Sequence, residues 1–481
     1  MPLIHKPATE LHELIKTKQV SSRDVTEAFL AQIHHVEPSL NAFLTLTDDL
    51  ALSMADAVDQ KVSKGLPLGP LEGVPIAIKD NICTENIPTT CASTILKGFL
   101  PPYNATLIET LKQAGLPILG KTNMDEFAMG SSTETSAYQK THNPWNVDCV
   151  PGGSSGGSAV AVAGFEAPLS IGSDTGGSIR QPASFCGNVG LKPTYGRVSR
   201  YGLIAFASSL DQIGSFANNV TDTAHLLNLL AGHDPKDSTS LALEKEDFTR
   251  LLGSPKKGLR VGLPNEFFKH LSPEVKALYT TLINTLSQDG IEFVWLDLPS
   301  IEYALATYYI IAPAEASSNL ARYDGVRFGF RAAGTSSTAE MIEQSRSQGF
   351  GAEVKRRILI GTYVLSSGYY DAYYKKAQKV RTLIKKDFDR AFEQVDIIAS
   401  PTTPTPAFKL GEKTNDPLEM YLSDIMTIPL NLAGLPGLSI PCGLHNNLPM
   451  GWQLMGKAFD EARLLQVAHQ MESLIGFGGC A

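Results

Sequence analysis

Two loops rich in glycine and serine carry the residue types that acyl-transfer chemistry needs. The first spans residues 152–158 and contains Ser154, and the second spans residues 175–178 and ends at Ser178. Glycine lets a backbone turn sharply and approach a ligand closely. Serine hydroxyls and free backbone N–H groups can supply a nucleophile and an oxyanion pocket. Upstream, an apolar run ends at Lys79, which predicts a lysine at the end of a buried strand.

The first loop also fits other patterns. Residues 152–156 match the G-x-S-x-G turn that presents the nucleophile in α/β-hydrolases, a mechanism that needs an acid and then a histidine downstream. The downstream histidines are His225, His233, His270, His445 and His469. None lies in a glycine-rich or turn-rich setting, and His445 stays open as a partner. The loop is not a P-loop because no lysine follows its glycines, and a flexible linker would rarely continue into the apolar run 159–163.

The surroundings of Lys79, Ser154 and Ser178 resemble the amidase signature family. Residues 151–158 and 172–182 are similar to its two serine loops. Four further segments resemble one branch of this family, the A subunits of aminoacyl-tRNA amidotransferases: 123–130, 192–200, 206–212 and 366–374. Such enzymes convert glutamyl-tRNA(Gln) to glutaminyl-tRNA(Gln), and often aspartyl-tRNA(Asn) to asparaginyl-tRNA(Asn). The resemblance covers almost the whole chain, and only the last residues, 476–481, depart from it.

The resemblance implies a role for each residue of the two loops. Ser178 is the expected nucleophile, Lys79 is the expected base, and Ser154, whose peptide bond is cis in the family, is the expected proton relay. The N–H groups expected to form the oxyanion hole are those of Thr175, Gly176, Gly177 and Ser178. The neighbouring serines expected to support the loops by hydrogen bonds are Ser155, Ser158 and Ser173.

Lys79 can act as a base only if its pKa falls below that of a lysine in water, which is about 10.4. Burial disfavours the charged form of lysine, and the flanking residues 74–78 and Ile82 are apolar. Asp80 offers an alternative, in which Lys79 is an ordinary strand-end lysine paired with this carboxylate. Adjacent strand residues point to opposite faces of a sheet, which favours Lys79 as a base over Lys79 as the ion-pair partner of Asp80.

Glutamine recognition depends on weaker sequence signals. An arginine suits the α-carboxylate of free glutamine, and a carboxylate suits its ammonium group. By resemblance, Arg357 and Asp424 are these residues, and Tyr308 contacts the amide end. Arg356 is the natural rival of Arg357. The alternative role for each of these residues is a surface ion pair or a packed aromatic ring.

Composition argues for a folded protein of the cytoplasm. The chain is 43% hydrophobic and 19% charged, as is typical of globular proteins. No run of about 18 apolar residues predicts a membrane span, and the N-terminus lacks the apolar core of a secretion signal. The six cysteines are scattered without a C-x-x-C pair, which favours reduced thiols over a disulfide framework or a metal site.

The net charge of −8 bears on the expected partners. A chain that bound tRNA alone would present a basic surface, whereas the basic cluster at 375–386 is interrupted by Asp387 and Asp389 and is interpreted as a solvated helix surface. Amidation of a carboxylate needs activation, yet the sequence contains no ATP-binding motif. The resemblance therefore implies B and C subunits as partners. One of these partners would carry most of the tRNA contact and the site for ATP and Mg²⁺, with no cofactor in this chain.

Alternating helix and strand signals predict an α/β fold. Strands are predicted at 74–78, 116–119, 259–263, 293–296, 395–399 and 438–440, and helices at 50–63, 105–113, 159–164, 370–393 and 460–474. This alternation predicts a largely parallel sheet with helices on both faces. The resemblance implies a single domain, residues 1–481, built around one mixed sheet.

The resulting hypothesis is a glutaminase subunit. It would hydrolyse glutamine through a γ-glutamyl ester on Ser178 and release ammonia to a partner that amidates the tRNA-bound acid. A stand-alone amidase acting on another amide is the first alternative, and Arg357 and Asp424 count against it. A non-catalytic scaffold subunit is the second, and the presence of Lys79, Ser154 and Ser178 counts against it.

Overall fold

One eleven-stranded sheet organises the molecule. The computed structural model describes residues 2–269 and 271–478, so the candidate histidine His270 and the cysteine Cys480 lie outside the described residues. The strands are β1 Phe43–Leu46, β2 Ile76–Lys79, β3 Ile118–Thr122, β4 Leu169–Asp174, β5 Val189–Lys192, β6 Gln212–Ala217, β7 Arg260–Pro264, β8 Glu292–Leu296, β9 Ile397–Pro401, β10 Gly437–His445 and β11 Leu448–Met455. Their order in the sheet is β1-β3-β2-β4-β6-β5-β10-β11-β9-β7-β8.

The sheet is mixed, as predicted, but it is not largely parallel. Its parallel pairs are β2–β3, β2–β4, β7–β8 and β7–β9. The central run from β4 to β9 is antiparallel throughout, and so is the pair β1–β3. The expected share of parallel pairs is wrong because sequence signals do not show which strands are joined without a helix. A tight turn at Asn446 and Asn447, both with positive φ, joins β10 directly to β11, and such a connection makes neighbours antiparallel.

Helices cover the sheet, which completes the predicted α/β architecture. They are α1 Ala8–Lys16, α2 Ser22–Leu40, α3 Asp48–Ser63, α4 Thr106–Gln113, α5 Gly156–Ala163, α6 Arg180–Cys186, α7 Val220–Leu230, α8 Asn265–Phe268, α9 Pro273–Gln288, α10 Ala304–Asn319, α11 Thr338–Gly349, α12 Ala352–Leu365, α13 Lys375–Ala391, α14 Pro417–Leu422, α15 Ile428–Ala433 and α16 Glu461–Ile475. The helix predicted at 370–393 begins with a π-helical turn, Tyr370–Tyr374, before α13. In the described part of the chain, no helix is both long enough and apolar enough to cross a bilayer.

Local sequence explains where the helices near the site begin and how closely they pack. Ser21 caps α2, because its hydroxyl accepts from the Asp24 N–H while the Asp24 carboxylate accepts from the Ser21 N–H. Helix α5 consists of small residues and is buried along its whole length. A Cβ atom on Gly157 would lie 2.5 Å from the carbonyl oxygens of Ala42 and Asn123. Glycine is therefore required for this close approach.

The parallel strands β2 and β4 position the candidate functional residues. Because the carboxyl ends of parallel neighbours meet at the same edge of a sheet, the last residue of β2, Lys79, lies near the loop that follows β4. Helix α5 packs against β4 and β2 and begins at Gly156. The first serine loop is therefore brought to the same edge.

Candidate active site

The side-chain nitrogen of Lys79 is surrounded by serines. Its Nζ lies 2.8 Å from Ser154 Oγ and 2.7 Å from Ser155 Oγ. From β4, Ser173 contributes its Oγ at 3.0 Å and its carbonyl oxygen at 3.4 Å. The hydroxyls of the first loop thus contact a buried lysine, and not the histidine that the α/β-hydrolase alternative requires.

Burial makes the neutral form of Lys79 accessible. It lowers the pKa of Lys79 to about 7, while the carboxylates of Asp125 and Asp174 act in the opposite direction. A lysine with this pKa is partly neutral near neutral pH, and its lone pair can take a proton from a contacting hydroxyl. The arrangement therefore has the means to activate a serine without a histidine.

Asp80 has its own partners, which removes the alternative in which it forms an ion pair with Lys79. Its carboxylate accepts from the N–H of Thr90 at 2.9 Å and from the Thr90 hydroxyl at 2.5 Å. It also lies 3.4 Å from the Nζ of the buried Lys121 on β3. Burial raises the pKa of Asp80, and Lys121 acts in the opposite direction. The two neighbouring residues therefore face opposite sides of the strand, as the alternation of side chains along it predicts.

Ser154 lies in a tightly packed turn. The peptide bond between Gly153 and Ser154 is cis, as the resemblance implies. The facing loop is held by Asp125, whose Oδ2 accepts from the N–H groups of Ser132 at 3.2 Å and Thr133 at 2.9 Å. A Cβ atom on Gly153 would lie 2.1 Å from that oxygen. The glycine before Ser154 is therefore required by packing.

The second loop presents its predicted oxyanion donors in two states. The N–H of Gly177 donates to Asp174 Oδ1 at 2.8 Å, so this donor already has an acceptor. The N–H groups of Thr175, Gly176 and Ser178 make no hydrogen bond to the described residues. These three donors remain for a negatively charged oxygen.

Buried side chains fix this loop without using its free N–H groups. Asp174 contacts the guanidinium of Arg180 at 3.1 Å. Burial raises the pKa of Asp174, but Arg180 outweighs it and the pKa falls to about 2. Asp211 accepts from the Thr175 hydroxyl at 2.7 Å. The Thr427 hydroxyl donates to the carbonyl oxygen of Gly176, also at 2.7 Å. The loop is therefore held from several sides in one conformation.

Ser178 joins the two loops and keeps its hydroxyl uncommitted. Its carbonyl oxygen accepts from the Ser155 N–H at 3.2 Å. The residue is 7% exposed, and its hydroxyl makes no hydrogen bond within the part of the chain that the structure describes. A hydroxyl in this state is available to react with a bound substrate.

Arg357 and its rival Arg356 occupy different environments. The side chain of Arg357 is 3% exposed, whereas that of Arg356 is 45% exposed. The guanidinium carbon of Arg357 lies 5.3 Å from the ring centres of Tyr309 and Tyr421 and 5.7 Å from that of Phe206. The surface ion pair considered as an alternative therefore describes Arg356, and Arg357 is the buried cation.

Asp424 and Tyr308 both lie near this cation, and Tyr308 also packs against the second loop. One carboxylate oxygen of Asp424 accepts from the Ser131 hydroxyl, and the other, although buried, has no partner among the described residues. Burial raises the pKa of Asp424 to about 7, while Ser131 and Arg357 act to lower it. Burial raises the pKa of Tyr308. The nearby Arg357 acts to lower this pKa, and the nearby Asp424 acts to raise it. A Cβ atom on Gly176 would lie 2.8 Å from the Tyr308 ring, so this ring packs directly against the loop.

Comparison with known proteins assigns this arrangement to a family. A sequence profile described as Amidase matches residues 24–465, which is most of the chain. The chain belongs to the amidase family. The resemblance inferred from the serine loops is thereby confirmed.

Several amidase-family proteins are similar to this chain over nearly its whole length. The A subunit of glutamyl-tRNA(Gln) amidotransferase from Heliobacterium modesticaldum is 58% identical over 99% of this chain and 98% of its own. The protein of the same name from Thermosynechococcus vestitus is 60% identical over 96% of each chain. The crystal structure of the protein of that name from Thermotoga maritima is 40% identical, with a TM-score of 0.82, and the match covers 98% of this chain and 95% of that one.

Sequence reasoning underestimates several residues of this amidase-family site. Ser155 and Ser173 are predicted only to support the loops, yet both contact Lys79 directly. Asp125 lies in a segment that resembles the A subunits but has no predicted role, and it holds the loop that faces Ser154. Two adjacent carboxylates, Asp125 and Glu126, among otherwise apolar residues are the available signal, because buried charges need partners. In residues 2–269 and 271–478, no three His, Cys, Asp or Glu side chains gather as a metal site would require.

Proposed function

We propose that this chain is the glutamine-hydrolysing A subunit of a glutamyl-tRNA(Gln) amidotransferase. The observation that carries the proposal is the buried Arg357 together with the partly buried Asp424, beside a loop that adjoins the Lys79–Ser154 contact. A free amino acid needs a cation for its carboxylate and an anion for its ammonium group. The names and full-length similarity of the relatives support the same substrate.

The first half of the reaction would form an ester. The Ser178 Oγ attacks the γ-amide carbon of glutamine, and its proton passes through Ser154 to neutral Lys79. The resulting oxyanion is stabilised by the free N–H groups of the second loop, those of Thr175, Gly176 and Ser178. The C–N bond then breaks, and ammonia leaves with the proton returned from Lys79.

The second half would regenerate the enzyme. Water attacks the γ-glutamyl ester on Ser178, with Lys79 and Ser154 again accepting the proton. Glutamate leaves as the Ser178 hydroxyl is restored. The net reaction consumes glutamine and water and yields glutamate and ammonia.

Ammonia made here would be used on another chain. Amidation of the tRNA-bound acid requires activation, which we assign to a partner that binds ATP and Mg²⁺. The B and C subunits of the amidotransferase are the proposed partners, and the misacylated tRNA is held mainly by a partner because this chain has a net charge of −8. We also propose that residues 1–481 form one domain, since one sheet and one large hydrophobic cluster span most of the chain.

The experiment that tests this function is reconstitution with the co-purifying subunits. We expect the isolated chain to be a weak glutaminase, and the complex with misacylated tRNA, ATP and glutamine to form the amidated tRNA. The measurement is ammonia release and tRNA amidation at physiological salt. If this chain alone bound tRNA specifically and amidated it with glutamine and ATP, the subunit proposal would be wrong.

Substitution of the glutamine-binding pair should separate the two activities of the complex. Arg357→Ala and Asp424→Ala should each weaken glutamine use by about 1.5–3 kcal/mol, since each removes a charge-assisted contact. Amidation supplied with ammonia should survive, because ammonia bypasses this site. The exposed Lys355→Ala, on the same helix as Arg357, serves as the control. Loss of both activities together would indicate a folding or assembly defect and contradict the assignment.

A further inference from the structure

Glu353 lies between the proposed substrate-binding arginine and an aromatic wall. Its Oε1 accepts from the Arg357 Nε at 2.7 Å and from the Tyr421 hydroxyl at 2.8 Å. Its Oε2 accepts from Arg356. Burial raises the pKa of Glu353, but Arg357 and the Tyr421 hydrogen bond outweigh burial and lower it. One carboxylate oxygen of Glu353 therefore fixes both Arg357 and Tyr421, and the carboxylate is ionised at neutral pH.

The contact leaves the outer end of the Arg357 guanidinium free. Its Nε is used by Glu353, whereas its two Nη groups make no hydrogen bond to the described residues. Tyr421 stacks on Tyr309 with ring centres 3.9 Å apart, and the guanidinium carbon lies beside this stack, 5.3 Å from each ring centre. The guanidinium is thus held by Glu353 at its Nε and by the aromatic stack alongside it. Two parallel donors remain, which match the two oxygens of a carboxylate.

The helix that carries both residues is itself anchored. Glu353 and Arg357 are one turn apart on α12 and so share a face. At the start of this helix, the Gly351 N–H donates to the Glu126 carboxylate at 2.9 Å. On its inner face, a Cβ atom on Gly361 would lie 1.9 Å from the Pro313 carbonyl oxygen, so α12 packs directly on α10. The backbone beneath Glu353 is therefore fixed without any contribution from its carboxylate.

We propose that Glu353 is a positioning residue that makes the site select substrates with an α-carboxylate. It acts through Arg357, by holding the guanidinium so that the two Nη groups face the substrate carboxylate. The inference rests on the proposed function and names the residue that sets its specificity. The position of the accepting oxygen matters in this proposal, and its negative charge does not.

The test compares glutamine with γ-aminobutyramide, which has the same amide and amino groups but no α-carboxylate. Ammonia release is measured in the assembled complex with Glu353→Ala, Glu353→Asp and Glu353→Gln, and with the exposed Lys355→Ala as the control on the same helix. Glu353→Ala and Glu353→Asp should lower kcat/KM for glutamine by about tenfold or more, mainly by raising KM. Their kcat/KM for γ-aminobutyramide should stay at the wild-type value. Glu353→Gln should recover most glutamine use, because its amide oxygen can still accept from Arg357 and Tyr421.

Each other outcome overturns the inference. An equal loss for both substrates in Glu353→Asp, at an unchanged melting temperature, would assign Glu353 a general structural role. Full glutamine activity in Glu353→Ala would show that Glu353 is dispensable. If Glu353→Gln had a kcat/KM for glutamine as low as that of Glu353→Ala, the negative charge of Glu353, and not the position of its oxygen, would set glutamine use. A wild-type complex that does not hydrolyse glutamine would overturn the proposed function itself. An active wild type that is indifferent to these substitutions overturns this inference alone.

Discussion

Ser178→Ala is expected to abolish glutamine hydrolysis while leaving the fold intact. The hydroxyl carries the covalent step in the proposed reaction and makes no hydrogen bond to the described residues, so its removal should cost little stability. Loss of the serine nucleophile lowers kcat by a factor on the order of 10⁶ in a serine hydrolase with a Ser-His-Asp triad. The measurement is ammonia release from glutamine, with the melting temperature of the variant recorded alongside.

A matched control for this variant is Ser184→Ala on α6. That serine is also buried, but its hydroxyl contacts only Thr403, at 3.2 Å, among the described residues. It should retain near-normal turnover. A serine-reactive acyl probe should label wild-type Ser178 and leave Ser178→Ala unlabelled. Label recovered on Ser154 or Ser155 in place of Ser178, or substantial activity in Ser178→Ala, would rule out the assignment.

The strands and loops around Lys79 can be predicted because their signals are local. The apolar run before Lys79 is β2, and the small residues after the first loop form α5. The side of the strand that each residue faces is also predictable, since Asp80 turns away from Lys79 to Thr90. Its second partner, Lys121, cannot be predicted in this way. That contact depends on the parallel pairing of β2 with β3, which is a long-range feature.

The choice between Arg356 and Arg357 has a signal in the sequence, although a weak one. The buried positions of α12 are Val354, Arg357, Gly361 and Val364. Their spacing of three or four residues follows one face of a helix, and it includes Arg357 but not Arg356. The role of Glu353 has no such signal, because a Glu and an Arg four residues apart usually form a surface ion pair. Only the burial of both distinguishes this pair.

The order of the sheet and the close approach of Thr427 to Gly177 are beyond sequence reasoning for related causes. From the sequence alone, Gly177 is predicted to supply a free N–H group to the oxyanion hole. The structure instead uses Gly177 to accommodate Thr427, whose Oγ1 would lie 2.0 Å from a Cβ atom at that position. The hydrogen bond from the Gly177 N–H to Asp174 is local by contrast, because the two residues are three positions apart. Thr427 is distant from Gly177 in sequence, just as β5 is distant from its neighbour β10 in the sheet. Such contacts appear only once the chain has folded.

Lys79→Arg is expected to be nearly inactive although it keeps a positive charge. Lysine can act as a base here because burial lowers its pKa to about 7, whereas arginine does not lose its proton in the working range. The larger guanidinium must also fit among Ser154, Ser155 and Ser173. Loss of general base catalysis lowers the rate by about 10²–10⁴-fold, and the measurement is kcat/KM for glutamine. Near-normal turnover in Lys79→Arg would reduce the lysine to electrostatic support and require another base.

The pH profile of the wild type tests the same assignment without a mutation. The neutral form of Lys79 is the active one, so kcat at saturating glutamine should fall as pH drops through the lysine pKa of about 7. Saturating glutamine is needed because Asp424 also has a pKa of about 7 and binds the substrate ammonium group only when it is ionised. Below that pKa the fall should be about tenfold per pH unit, and above it the rate should level off. Lys79→Arg should lose this pH-dependent rise, because its residual activity no longer depends on a titrating base. A wild-type profile that stays flat from well below to well above neutral pH would instead mean that no group with this pKa limits the reaction, and Lys79 would then not be the base.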